Sequence, residues 1–314
     1  MTIETTKSTG ASAAPVESRR SGKTPLSEGA KAERRLGWML CAPAVVVMVA
    51  VTAYPIAYAV YLSLERYDLR FPNQSKFIGF DNYVAVMSSS YWWASLFRTL
   101  IITLVSVAVE LVLGMLLAIL MHRTIFGRGT VRTAILIPYG IVTVVAAFSW
   151  QYAWTPGTGY LVKWLGVGAP LTHQIQAIAI IILAEVWKTT PFMALLLMAG
   201  LALVPDDLQN AARMDGATAW QRFKKITLPL MKPAILVALL FRTLDAFRIF
   251  DNIFILTKGG NNTQSVSILG YDNLFTALNL GIGSAISILI FLCVAIIAFI
   301  FIKLFGAAAP GSEG

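Results

Sequence analysis

Apolar residues run along this chain in six long blocks separated by polar stretches. The blocks lie near residues 36–64, 96–121, 133–154, 175–200, 233–256 and 283–305. A helix needs about 20 mostly apolar residues to cross the hydrocarbon core of a bilayer, and each block meets that length. None shows the short alternating runs of about ten residues that a membrane barrel would need. The pattern predicts an all-α integral membrane protein, a bundle of six transmembrane helices. Pro55, Pro138 and Pro191 fall within or near the blocks. Membrane helices accept proline where neighbouring groups satisfy the freed backbone. Residues 1–35 are rich in Ser, Thr, Ala and Gly, are basic, and lack apolar periodicity, so they read as a disordered tail. Residues 307–314 read as a short C-terminal tail, and the first block as an uncleaved membrane helix.

Composition supports this reading and narrows it. Of 314 residues, 57% are hydrophobic and 13% charged. A soluble domain carries about 25% charged residues. So few charges exclude a water-soluble enzyme or a DNA-binding protein, and no nucleic-acid partner is expected. The net charge is +9. Sixteen of the twenty-five Lys and Arg fall in the N-terminal tail, the second and fourth loops and the C-terminal end. Six fall in the opposite loops, and Lys188, Arg242 and Arg248 lie within blocks. The positive-inside rule then predicts that both termini are cytoplasmic. Trp92, Trp93, Trp154 and Trp164 are expected at the outer interface, where indole rings are favoured. Cys41 and Cys293 sit in apolar runs, read as buried thiols, and make neither a disulfide framework nor a metal site. The chain has no G-x-x-x-x-G-K-[ST] run to cradle ATP phosphates and no hydrolase or zinc-protease motif.

The fourth loop, 201–232, is long for a connection between membrane helices. Asp206 or Asp207 can cap a helix after the break at Pro205, and Gly216 suits a left-handed stop. Ala211 and Ala212 permit close approach by another surface. The run Asn210-Ala211-Ala212, Gly216, Ile226, Leu228-Pro229 resembles the E-A-A-x3-G-x9-I-x-L-P loop of bacterial ABC importer permeases. The motif is long and fixed in spacing. Asn210 replaces its usual Glu, leaving a hydrogen-bonding rather than an ionic side chain. Other stretches are similar to the carbohydrate, maltose-type branch: Phe77 to Tyr83, Arg132 to Pro138, and Leu256 to Gly260. Tyr152 to Tyr160 and Phe241 to Asn252 resemble the mycobacterial trehalose-importer permeases.

The resemblance implies the type I importer permease fold and a place in the bacterial cytoplasmic membrane. It implies a non-catalytic subunit forming half of a sugar pathway, with a disaccharide, trehalose, as cargo. It implies that Asn210, Ala211, Ala212, Asp215, Gly216 and Ala217 dock on an ATPase. The partners it implies are a second homologous permease subunit, two copies of a cytoplasmic ATPase that binds ATP and Mg, and an extracytoplasmic sugar-binding lipoprotein. The chain itself is expected to hold no cofactor. The alternative is a secondary transporter or channel subunit outside this family, which would have no ATPase for the loop to meet.

Charges within spans are costly and point to function. Glu185, Lys188, Thr189 and Phe192 fall on one helix face, and Arg242, Asp245, Ala246 and Ile249 repeat the spacing. Each stripe holds an acid and a base three residues apart, able to neutralise one another. One reading is two internal ion pairs that join helices. The other is a polar sugar cavity, and the resemblance implies it, because these eight positions share register with the family's sugar pocket. The family uses mainly neutral and aromatic groups there, whereas this chain has charges. Glu110 reads as a lone acid making a polar contact between helices. Trp150, Gln151 and Tyr152 read either as an interfacial belt or as groups that meet sugar near the outer mouth.

Overall fold

A computed structural model describes residues 28–123 and 127–305. The chain divides into two compact units, residues 1–55 and 56–314. Within the first unit the described residues belong to helix α1 (Glu28–Ser63). The helix starts inside the stretch 1–35 assigned above to a disordered tail. Residues 1–27 and 306–314, which include the rest of that tail and all of the C-terminal one, lie outside the described residues. Leu36, Leu40, Val47 and Val51 are exposed, an apolar surface that suits hydrocarbon rather than water. Cys41 is exposed too, contrary to the buried thiol expected, because this part of the helix buries no face.

The second unit continues from the end of α1 into a two-stranded antiparallel ribbon, β1 (Glu65–Arg66) and β2 (Lys76–Phe77), with Glu65 opposite Phe77. Helices α2 (Asp81–Ser88) and α3 (Ser90–Arg123) follow. Next come α4 (Arg128–Gly140), α5 (Thr143–Ala153), the short α6 (Tyr160–Leu165) and α7 (Gln174–Leu201). The fourth loop contains α8 (Asp206–Met214) and α9 (Ala219–Arg222). A π-helical turn, Phe223–Thr227, leads into α10 (Leu228–Phe247). Helices α11 (Asp251–Leu256), α12 (Val266–Tyr271) and α13 (Leu280–Phe305) complete the described chain.

Among the described residues, five helical stretches are long and apolar enough to span a bilayer, and the pair α4 and α5 makes a sixth when taken together. That pair is bent by 85°, so the third expected span is broken rather than straight. Gly140 ends α4, and the β-branched Ile141 and Val142 take extended backbone. These residue types favour extended over helical conformation.

Helices α3 and α7 form the centre of the bundle. Gly114 on α3 lies so close to α7 that a Cβ there would come 2.7 Å from Met193 Cγ. At Gly200, a Cβ would meet the Ala234 Cβ of α10 at 2.5 Å. Small residues let membrane helices approach closely, which is the main source of their packing energy. Val107, Met115, Met193, Leu197 and Met231 fill the seam.

The Phe77–Tyr83 motif is a local staple. Gly79 supplies a left-handed turn at φ +62°. Asn82 donates to the carbonyls of Ser63 and Glu65, each at 2.8 Å, and the Tyr83 hydroxyl meets Ser63 Oγ. Nearby, the Arg70 guanidinium pairs with Asp68 through two bonds and holds that half-buried carboxyl below its usual range.

Two of the four tryptophans expected at the interface are core residues. Trp92 packs with Phe247 and Ile286, and Trp154 with Ile180 and Ile253. Their faces are covered by helices far away in sequence. Trp93 and Trp164 are exposed. Cys293 is half-buried and, like Cys41, free.

Candidate functional site: a charged cavity beside the broken span

A cavity of about 580 Å³ opens between the break, α7 and the α10–α11 junction. The break contributes Tyr139, Ile141, Val142 and Thr143, and α7 contributes Glu185, Lys188 and Thr189. The third wall carries Asp245, Arg248, Ile249, Phe250, Asp251 and Asn252. Five of the eight positions expected in a pocket therefore line it: Glu185, Lys188, Thr189, Asp245 and Ile249. Thr189 also bonds its own helix, donating to the Glu185 carbonyl. The turn at Arg248 brings Arg248, Asp251 and Asn252 to the same cavity, although a continuous helix would have turned some of them away.

The other three positions do different work. Arg242 is fully buried and faces carboxylates rather than the cavity. Its Nε donates to Glu110 at 2.5 Å and its Nη2 to Glu110 at 3.0 Å. Nη2 also reaches Glu185, and Nη1 reaches Asp245, each at 2.5 Å. One guanidinium thus ties α3, α7 and α10 together through three acids. A guanidinium suits this task because its donors are fixed in a planar fork. Ala246 is buried in the helix seam, where its small side chain allows close packing. Phe192 stacks on Tyr139 with ring centroids 5.3 Å apart, so it backs the cavity wall without lining the cavity.

The two ion pairs read from spacing fare differently. Arg242 and Asp245 do pair at i, i+3. Glu185 and Lys188 do not, because Glu185 is occupied by Arg242 and by the amide of Asn252. Lys188 turns instead to the carbonyls of Ile141, at 2.7 Å, and Tyr139, at 3.5 Å. Glu110 is not a lone acid, since it accepts from Arg242 and from Thr189. Gln151 is also committed, donating to the Ile255 carbonyl, and Trp150 packs edge-on against Trp187. Neither lines the cavity. Sequence spacing along a single helix carries no signal for partners on other helices.

The second candidate site is the fourth loop. Helix α8 starts just after Pro205, with Asp206 and Asp207 in its first turn, where they face the positive end of the helix dipole. Neither caps through its side chain, contrary to expectation, because Pro205 occupies the cap position. Gly216 has φ +76°, and the Ala217 amide reaches back to the Ala212 carbonyl, as in a glycine-terminated helix. Thr218 and Gln221 then form a reciprocal capping box that starts α9, for which the T-x-x-Q spacing is the sequence signal. Asn210, Ala211, Asp215 and Gly216 are exposed, whereas Ala212 and Ala217 are half-buried. Leu203, Leu208, Met214 and Trp220 are exposed around them, an apolar patch with a charged rim.

Residues 82–309 match the family described as the binding-protein-dependent transport system inner membrane component. The chain belongs to that family. It is a multi-pass membrane permease, a non-catalytic translocation subunit, and a secondary transporter or channel outside the family is set aside. Among its relatives, the trehalose transport system permease protein SugA of Mycobacterium tuberculosis is 68% identical over 90% of this chain and 92% of that protein. The trehalose/maltose transport system permease protein MalF of Thermococcus litoralis is 40% identical over 86% of this chain and 94% of its own length. A bacterial ABC transporter involved in alginate import shares the fold, with a TM-score of 0.76 at 22% identity, covering 90% of this chain and 100% of that one. This is the type I importer permease fold.

Proposed function

We propose that this permease forms half of the translocation pathway of an ATP-driven trehalose importer, and that the cavity beside the broken span receives the sugar. The cavity carries the reading. A disaccharide presents many hydroxyls, each both donor and acceptor. Asp245 offers a carboxylate that is 63% exposed, and Arg248 and Lys188 offer donors. Phe250 adds an aromatic ring to the same wall. Water in the cavity lowers the cost of these charges within the membrane. The relatives named for trehalose transport support the choice of cargo.

Transport in this reading needs partners. The second half of the pathway comes from a homologous permease subunit. The loop from Asn210 to Ala217 docks on a cytoplasmic ATPase, present in two copies, which binds ATP and Mg. An extracytoplasmic sugar-binding lipoprotein delivers the sugar, consistent with the binding-protein dependence of the family. Both termini and the fourth loop are cytoplasmic.

Asp245→Asn is the cleanest test, because Asp245 reaches the cavity while Glu110 and Glu185 keep Arg242 neutralised. In reconstituted transporter we expect trehalose uptake to fall about tenfold, the effect of one charge-assisted bond. Assembly and basal ATP hydrolysis should be unchanged. Native uptake in Asp245→Asn, together with native uptake in Arg248→Gln, would remove this cavity from the sugar path.

A further inference from the structure

We infer that Lys188 is a positioning residue that latches the broken span against α7 and lets go when sugar occupies the cavity. The inference rests on the reading of the cavity as the sugar site. Helix α4 ends at Gly140 within an apolar span. A helix end leaves its last carbonyls without intrahelical donors, and hydrocarbon offers no water to replace them. Lys188 supplies the donor: its ammonium bonds the carbonyls of Ile141 and Tyr139. Its positive charge also faces the negative end of the α4 dipole.

Two further contacts set the same grip. The Lys188 ammonium lies 5.8 Å from the Tyr139 ring centroid. One turn along α7, Phe192 stacks on that ring at an interplanar angle of 16°. The end of α4 is therefore held by the charge and by the ring face, both from α7. Lys188 also lines the cavity, so the group that holds the wall is one that a sugar hydroxyl can reach. An ammonium has three donors and no acceptor. With two donors on the carbonyls, one remains for a first sugar hydroxyl, and a second hydroxyl of the same sugar must displace the longer bond, to the Tyr139 carbonyl at 3.5 Å. Occupancy then loosens the wall formed by Tyr139, Ile141, Val142 and Thr143. The expected salt bridge to Glu185 would have left the break without a donor and the cavity without this link.

The test uses the assembled transporter in lipid nanodiscs, with Cys41 and Cys293 replaced by alanine. A single cysteine at Thr143, half-buried in the wall, is labelled with a hydrophilic thiol reagent. Without sugar, Lys188→Met should label about tenfold faster than the parent, as expected for loss of a charge-assisted bond, and Lys188→Arg should stay near the parent rate. Trehalose with its binding protein should speed labelling of the parent and leave Lys188→Met unchanged. Lys188→Met labelling at the parent rate would overturn the latch. Should Lys188→Met fail to assemble, Lys188→Leu, which also lacks a donor, is read in its place by the same two outcomes. A parent that responds to maltose but not trehalose supports the latch and overturns the choice of cargo. A parent that responds to neither sugar overturns the release step.

Discussion

Arg242 shows how much one residue can hold. Its guanidinium is buried among Glu110, Glu185 and Asp245, two of which belong to other helices. A buried charge that loses its partner is strongly destabilising, by about 3–5 kcal/mol. Arg242→Met strands two acids deep in the bundle, so we expect a large drop in the thermal stability of the purified complex. Asp245→Asn should change that stability by less than about 1 kcal/mol, because the Asp245 carboxylate is largely exposed and Glu110 and Glu185 still neutralise Arg242. Equal melting temperatures for the two variants would show that the network does not bind the helices together. The swap Arg242→Asp with Asp245→Arg should fail to restore stability, since Glu110 and Glu185 would then face an aspartate. Spacing within one helix located the Arg242–Asp245 pair. It could not locate Glu110 or Glu185 as partners, because α3 and α7 meet α10 only after folding.

At the scale of elements, the broken span and the fourth loop carry the most meaning. Pro138 reads as tolerated within a single third span, because hydropathy averages over the block. The bend follows from Gly140 and two β-branched residues, and its free carbonyls are satisfied from α7. The fourth loop was more legible, because its start, small residues and left-handed stop are local features. Gly216 at φ +76° is the position where a side chain costs about 1 kcal/mol in backbone strain alone. Open space surrounds it within the chain, so a large residue there need not disturb the bundle. We expect Gly216→Trp to insert and fold but to lose uptake and the coupling of sugar binding to ATP hydrolysis. Retained coupling, measured as binding-protein-stimulated hydrolysis, would take this loop out of the ATPase contact.

For the whole molecule, the asymmetry of Lys and Arg sets the expected orientation. Ser88, in the loop after the first span, and Thr218, in the fourth loop, are both exposed. Single cysteines at these positions, in a cysteine-free background, should label from opposite sides of the membrane. Labelling of both from the same side would overturn the orientation. The sequence by itself determined the membrane class, the number of apolar blocks and the loop motif, because apolar length, charge count and local caps are properties of neighbouring residues. Only the tertiary structure decided that Trp92 and Trp154 are core, that Lys188 serves the break, and that Arg242 binds Glu110. Those contacts join residues 47 and 132 positions apart for Lys188 with Ile141 and Arg242 with Glu110. Each depends on which helix faces meet. In a bundle that is apolar on nearly every side, hydrophobic periodicity does not specify those faces, and packing and charge neutralisation choose them.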